Sequence, residues 1–503
     1  MADSLKAQFY NLPNDYIYNT LAQRRMARID SIPLHNSIQP AIPFFNPAYR
    51  FVADTFRIFK YITDDPFLEK VIADDLIHIR DRRNKRFEFR VDPLLNFEGG
   101  RAFYDTTSSQ HISVNTRGFI ASGTIGKDFY FETMFAENQA IFPAYIMQFN
   151  NQTKIVPGQG RWKNFKSNGY DYAFSSGFVS YQPIKQVNIQ VGHGKQEIGN
   201  GYRSLLLSDN AFNYPYARIT SGFWKGRIQY TNIYAVMMNL STGGAAQPPN
   251  TEPLFQKKAA SFQYVSIQAT KRIQVGLFQG MIWQAADSMN RQHLQWQYFN
   301  PVIYTNLASY GLNNKNNILI GANLQVKLTH NISLYGQFMA DDLSNTQSTG
   351  NGVGYQVGAH YYEAFKIHNF SLQAEYNDVT ESSYNSPLTA YSNQSYSHYG
   401  QNLAYTPGYG KEFVFIADYK YHRVFFNVKG NYQHLTTSNY ALYNNLLGQF
   451  KVGYTINPAY NLHIALTYNY RKQDFLSFPL SNNTTSFFSI SLKTALYNTY
   501  YDF

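Results

Sequence analysis

Residues 316–342, NNILIGANLQVKLTHNISLYGQFMADD, decide the fold. Ile318, Ile320, Ala322, Leu324, Val326 and Leu328 alternate with Leu319, Gly321, Asn323, Gln325 and Lys327. After a short turn at Thr329, His330 and Asn331, Ile332, Leu334, Gly336 and Phe338 alternate with Ser333, Tyr335, Gln337 and Met339. Successive side chains on a strand point to opposite faces, so each strand has one apolar face and one mostly polar face. The pair reads as a hairpin with arms of about ten residues, longer than the usual strand of about five or six.

Outward from this hairpin the pattern repeats to the end of the chain. Strands are expected at 87–97, 112–122, 128–135, 172–181, 187–192, 215–222, 226–238, 259–269, 272–282, 316–328, 331–340, 353–362, 368–377, 412–421, 423–434, 448–456, 461–471 and 486–503. Short connections, such as 123–127, 182–186, 329–330 and 457–460, alternate with long ones, such as 98–111, 136–171, 193–214, 283–315 and 378–411. Short turns on one rim and long loops on the other mark outer-membrane barrels, and an even strand number brings both barrel ends to the short-turn, periplasmic rim. The expected fold is therefore an all-β transmembrane barrel of about eighteen antiparallel strands over residues 87–503. Tyr419/Tyr421, Tyr468/Tyr470 and Tyr361/Tyr362 sit where aromatic girdles belong. Phe503, ending an aromatic-rich last strand, resembles the assembly signal of such barrels.

Composition agrees. Charged residues are 15% of the 503, while 43 Tyr and 39 Phe bring aromatics to 17%. Mean hydropathy is nonetheless −0.39. Low charge with many aromatic and neutral polar residues suits a lipid face, girdles and a wet lumen. No apolar run approaches the roughly 20 residues of a membrane helix, and only helices and closed barrels satisfy every backbone group in lipid. Cysteine is absent, which excludes thiolate zinc sites. The opening residues Met1–Lys6 have no apolar core of a signal peptide, so an exported barrel is expected to have lost its leader from this chain. The net charge of +11 favours acidic partners, namely anionic sugars and the head groups of outer-membrane lipid and lipopolysaccharide. The basic residues are scattered, and no nucleic-acid motif accompanies them.

Residues 1–86 read differently. Helices are expected at 14–28, 46–62 and 65–82, the last two opened by Asn46-Pro47 and Asp65-Pro66, a capping residue followed by proline at the first helical position. Residues 32–45 are punctuated by proline and expected to be extended. This N-terminal helical module is expected to dock at the periplasmic rim as a plug. The cluster Arg80, Arg82, Arg83, Lys85 and Arg86 reads either as a solvated turn or as an anchor on anionic head groups.

Residues 192–215, GHGKQEIGNGYRSLLLSDNAFNYP, resemble the signature of Wzi-like capsule-assembly barrels, in the Bacteroidota version that includes RemB-like gliding-motility proteins. The resemblance implies an outer-membrane protein of the cell surface tied to surface polysaccharide, and the function is expected to be non-enzymatic. Alternatively, it implies a partner of other outer-membrane or periplasmic proteins in gliding motility or type-IX secretion. Read residue by residue, Gly199, Asn200 and Gly201 permit positive φ and a tight loop. Glu197, Tyr202, Arg203 and Asp209 have the carboxylate, guanidinium and aromatic groups that bind sugars. The same residues also admit a Glu197–Arg203 ion pair inside a loop folded into the lumen.

Catalysis has little support: His193 has no assembled partners in the sequence, and no cofactor or metal is expected. Asp64-Asp65, Asp74-Asp75 and Asp341-Asp342 lack calcium-loop spacing, and apart from Asp65, a helix cap, they read as solvated. The lumen faces, Asn323, Gln325, Lys327, His463, Thr467, Asn469 and Arg471 among them, are neutral to basic, so a diffusion channel is the main rival function, with a barrel hydrolase behind it. If the barrel reading holds, the purified chain stays monodisperse only in detergent. A detergent-free sizing column checks this, with aggregation the expected result.

Overall fold

The structure is a computed structural model that describes residues 20, 23, 24, 27, 28, 35–40, 70–72, 74–81, 87–105, 108–126, 128–240, 255–285, 299–310, 316–341, 352–384, 394–436, 442–476, 483–494 and 498–503. Eighteen antiparallel strands close into a barrel. They are β1 (Phe87–Tyr104), β2 (Ser108–Ile125), β3 (Phe129–Ile141), β4 (Gly169–Ile184), β5 (Val187–Gly194) and β6 (Tyr214–Phe223). There follow β7 (Ile228–Met238), β8 (Lys257–Gln268), β9 (Ile273–Gln284), β10 (Asn317–Lys327), β11 (Ile332–Asp341) and β12 (Gly352–Tyr362). The last are β13 (Phe370–Val379), β14 (Gly410–Tyr421), β15 (Val424–Thr436), β16 (Leu442–Asn457), β17 (Leu462–Phe475) and β18 (Asn483–Lys493). Each pairs with the next, and β18 returns to β1, from Thr485 opposite Tyr104 to Lys493 opposite Asn96.

The two faces separate as alternation requires. On β10, Leu324 is 45% exposed to the outside, whereas its neighbour Asn323 is 1% exposed in the lumen. Leu334, Phe338, Val357, Val428, Leu466 and Ile490 continue the apolar exterior. Tyr181, Phe223, Trp224, Phe365 and Tyr421 are exposed at the short-turn rim, the place of an aromatic girdle. Tyr361 and Tyr362 do not both join it. Adjacent residues face opposite ways, and Tyr362 is buried in the lumen, stacked on His360.

Four expectations are corrected. The connection expected over 98–111 shrinks to the three residues between the strands, because β1 and β2 pair along their whole length, from Phe87–Ile125 to Tyr104–Ser108. The final strand stops at Lys493, and residues 498–503 turn into the lumen, so Phe503 does not end a barrel strand. This leaves the lower edge of β1 without β18. Ile77–Arg80 fills that edge, pairing Ile77 with Val91 and Arg80 with Glu88. The helix expected over 65–82 is thus helical at 70–72 and a strand at 77–80, since an open sheet edge offers hydrogen bonds that local helix preference cannot match. Of the helix expected at 14–28, residues 20, 23, 24 and 27 are helical; the one at 46–62 lies outside the described residues, as does the basic cluster apart from Arg80. Finally, Asp75 and Asp341 are not solvated. Asp75 is buried beside His78 and Arg90, and Asp341 accepts from the Tyr384 backbone N–H at 2.7 Å.

The connection after β9 does not stay beyond the rim. Residues 299–310 lie against the outer wall, where Asn232, Ser261, Gln263 and Gln279 face outward yet are buried. Gln263 donates to the Asn300 carbonyl (2.7 Å) and Tyr234 to that of Phe299 (2.9 Å), while Tyr230 donates to that of Pro301. This strap gives Gln263, Tyr230 and Tyr234 partners that lipid cannot, and it covers Asn232, Ser261 and Gln279 where apolar alternation breaks on β7–β9.

An arginine on the bare wall has no such cover. Val357→Arg, at a position 61% exposed in the middle of β12, is expected to destabilise the barrel in bilayers by about 2–4 kcal/mol, the cost of Arg at the bilayer midplane. Denaturant unfolding in liposomes checks this.

Candidate functional site

Among the described residues, the lumen holds segments of the chain as well as the wall. Three stretches from distant parts of the chain meet in it and build a small hydrophobic core: Ile38, the run Leu205–Leu207, and Tyr396 with Leu403–Tyr405. Ile38 and Gln39 pair antiparallel with Ile198 and Glu197, as the extended reading of 32–45 implies. Tyr396 and Tyr384 donate to the carbonyls of Leu206 (2.7 Å) and Leu205 (2.9 Å). Phe262, Tyr264 and Phe278 of the wall pack against this plug.

The loop 195–213 thus folds inward, as one reading of the sequence held, but its charges pair differently. Arg203, 1% exposed, bonds through Nε and Nη2 to Glu412 on β14 (3.0 and 2.8 Å) and through Nη1 to Asp502 (3.2 Å). Its partner is not Glu197. Two carboxylates on one buried guanidinium leave an excess negative charge, and Lys429 on β15 balances it, 3.0 Å from Asp502. Tyr202 donates to Asp502 at 2.5 Å, and Asn431 and Gln433 donate to Glu412 at 3.0 and 2.8 Å. The backbone N–H groups of Tyr202 and Arg203 both bond Glu375 on β13 (2.7 and 3.1 Å). Burial pushes the Asp502 carboxyl up, but Arg203 and Lys429 outweigh it and hold the group down at about 2.

The other expected site residues take internal places too. Asp209 accepts from the Tyr500 hydroxyl at 2.7 Å, and its backbone carbonyl accepts from Lys195 Nζ at 2.9 Å. Burial, with Asp209 and Glu375 adding to it, pushes the Glu197 carboxyl well above the usual carboxylate range. Gly199, Asn200 and Gly201 do not adopt positive φ. The glycines serve close approach instead: a Cβ on Gly201 would stand 2.3 Å from Glu375 Oε2, and one on Gly199 2.8 Å from Gln337 Nε2. Asn200 is held by Asn323 (3.0 Å) and His360 (2.9 Å). Tyr202, Arg203 and Asp209 are therefore buried and bonded to the chain's own groups. His193 stays at the end of β5, with Nδ1 3.2 Å from the Ser175 carbonyl.

Beside this network lies a cavity of about 240 Å³. Its walls are the lumen faces of β1, β2 and β14–β18, the start of helix α1 (Ala144–Thr153) and tail residues 498–502. Lys429, Lys451, Arg471 and Lys493 line it with Glu98 and Asp502, along with Asn427, Gln449, Thr467 and Asn469. The sequence marked Thr467, Asn469 and Arg471 as lumen-facing. It did not mark Glu412, Asp502 or α1, since nothing local says which lumen residues the plug will meet. Asp74, Asp75 and His78 come within metal-ligand distance of one another, but Asp75 is spanned by His78 and Arg90 (3.4 and 3.6 Å), so the cluster is neutralised by the chain itself.

A closed β-barrel with its lumen filled by its own loops, its N-terminal stretch and its C-terminal tail is a plugged transmembrane-type barrel. Among solved structures its fold is similar to that of Wzi of Escherichia coli, described as an outer membrane protein involved in group 1 capsule assembly and a carbohydrate-binding β-barrel. The two share 12% identity with a TM-score of 0.55, over 98% of this chain and 100% of that one. Pseudomonas aeruginosa OccK7 (OpdD) and OccK3 (OpdO) match at TM-scores of 0.47 and 0.44 with 9% and 10% identity, over 81% and 80% of this chain and 98% and 95% of theirs. No protein-family model and no curated protein sequence matches the chain.

Arg203→Met takes the guanidinium from buried Glu412 and leaves Asp502 to Lys429 alone, a loss expected to cost about 3–5 kcal/mol, read as a lower denaturant midpoint in detergent. Asp502 is lowered in the folded state, so its stabilisation is complete above the unfolded value near 4 and is lost as pH falls from there through about 2. Acid titration of the intact protein is expected to loosen the tail in that window, and Asp502→Asn to remove that step.

Proposed function

We propose that this chain is a non-enzymatic, plugged outer-membrane barrel that takes part in attaching or assembling surface polysaccharide. The observation that carries this is the filled lumen. A diffusion channel needs a continuous aqueous path, whereas here Arg203, Glu412 and Asp502 lie buried across the interior with Leu205–Leu207 and Tyr396 packed alongside. The full-length likeness of fold to a carbohydrate-binding barrel, the basic balance of the chain and the cavity lined with amides and cations support the polysaccharide side of the reading. The resemblance at residues 192–215 supports a narrower version, in which the barrel is a partner subunit of gliding or secretion machinery.

In planar bilayers the protein is expected to give no steady conductance steps, and Arg203→Met to produce intermittent ones as the plug loosens. Large steady steps from the intact protein would put the channel reading first. Retention of an acidic capsular polysaccharide by the immobilised protein, but not of neutral dextran, is the expected binding result. Retention of neither would leave the partner-subunit reading ahead.

A further inference from the structure

Independently of any polysaccharide, we propose that the junction of plug and wall beside Arg218 binds one small inorganic anion of the halide class, which balances that residue's buried charge. Arg218 stands on β6 with its side chain turned into the lumen and 0% exposed. A guanidinium keeps its charge throughout the pH range of a folded protein. Arg203, equally buried, faces two carboxylates, Glu412 and Asp502. Arg218 faces none among the described residues. Its Nε donates to the Thr220 hydroxyl (3.2 Å), and its Nη1 to the Pro40 carbonyl (2.8 Å) and to Gln196 Oε1 (2.9 Å). All three acceptors are neutral, and a charge buried without a counter-charge is among the costliest arrangements in a protein interior.

The unbalanced charge coincides with unsatisfied donors. Arg218 Nη2 has no hydrogen-bond partner. Directly across the β5–β6 pair stands Gln190, also 0% exposed, and neither end of its amide is bonded. Residues opposite each other on one face have Cβ atoms about 4.5–5.5 Å apart, so Nη2 and the Gln190 amide reach the same small space. Buried polar groups nearly always have partners. The ligand that answers both needs accepts hydrogen bonds and carries a negative charge.

It is also small. Ile233 stands across from Arg218 on β7, and Ser180 across from Gln190 on β4, and both are buried. A monatomic anion such as chloride fits between such walls, whereas a sugar acid or a phosphate ester brings a body that needs room of its own. Water satisfies the donors but leaves the charge unbalanced. The anion bears on the plug through what Arg218 holds. Pro40 follows the pair Ile38–Gln39 that lies along Ile198 and Glu197, and Gln196 begins the inward loop. A neutralised guanidinium therefore ties the N-terminal stretch, the loop and the wall at a second point besides Arg203.

The test refolds the full chain from denaturant into detergent at one ionic strength in sodium chloride, sodium bromide or sodium gluconate, so that the site fills as it closes. The denaturant midpoint is expected to be higher in either halide than in gluconate. It is expected to climb with halide concentration, as linkage requires of a ligand bound only by the folded state. Arg218→Met is expected to abolish the difference between the salts, because no charge remains to balance. Gln190→Leu keeps the charge and removes a donor, and is expected to need several-fold more halide for the same shift. Crystals of the chain refolded in bromide are expected to show an anomalous peak within hydrogen-bond distance of Arg218 Nη2. Equal midpoints in all three salts, a halide response that survives in Arg218→Met, or bromide crystals without that peak would overturn the site and leave Arg218 to a buried water. An unchanged response in Gln190→Leu would overturn the part given to Gln190.

Discussion

The structure depends on one constraint: a sheet in contact with lipid must leave no backbone N–H or C=O without a partner. The β18–β1 seam meets it from Thr485–Tyr104 to Lys493–Asn96, and Ile77–Arg80 meets it where β18 has ended. Closure turns one face of every strand into an interior. That interior is too wide for wall side chains alone to fill, so it is either water or plug. Here the chain supplies plug from its N-terminal stretch, from the loop after β5, from the long connection before β14 and from the tail.

Filling a polar lumen with protein creates its own problem. Wall side chains that would have faced water must find partners or lose several kcal/mol each. Gln337, Gln356 and Gln433 bond to plug backbone as well as to one another's neighbours on the wall. The ionic knot of Arg203, Glu412, Asp502 and Lys429 goes further and ties loop, wall and tail at one place. Buried ion pairs give little net stability against an apolar alternative. Their value here is specificity, since no other seating of the loop brings a guanidinium to Glu412 and Asp502 together.

Much of this was legible in the chain, for reasons that can be named. All eighteen strands stand near their expected positions because alternation is a local signal that survives burial on one face. The hairpin of β10 and β11 places Leu324 outside and Asn323 inside as its sequence implies. The departures share a cause, which is that a tertiary partner overruled a local preference. Residues 77–80 left the helical pattern for an open edge, the aromatic tail left the sheet for Arg203, and residues 299–310 left the exterior for the polar patch on β7–β9.

The sequence by itself determined the barrel: the strand number, the face each residue takes, the rim with short turns and the inward loop as an option. These follow from a period of two residues and from turn lengths, both read within a few positions. Only the tertiary structure decided what fills the lumen and which charges meet there. Arg203 reaches Glu412 across 209 positions and Asp502 across 299. At such separations the sequence carries no preference among carboxylates, and the choice falls to whichever ones the closed wall and the folded plug bring within reach.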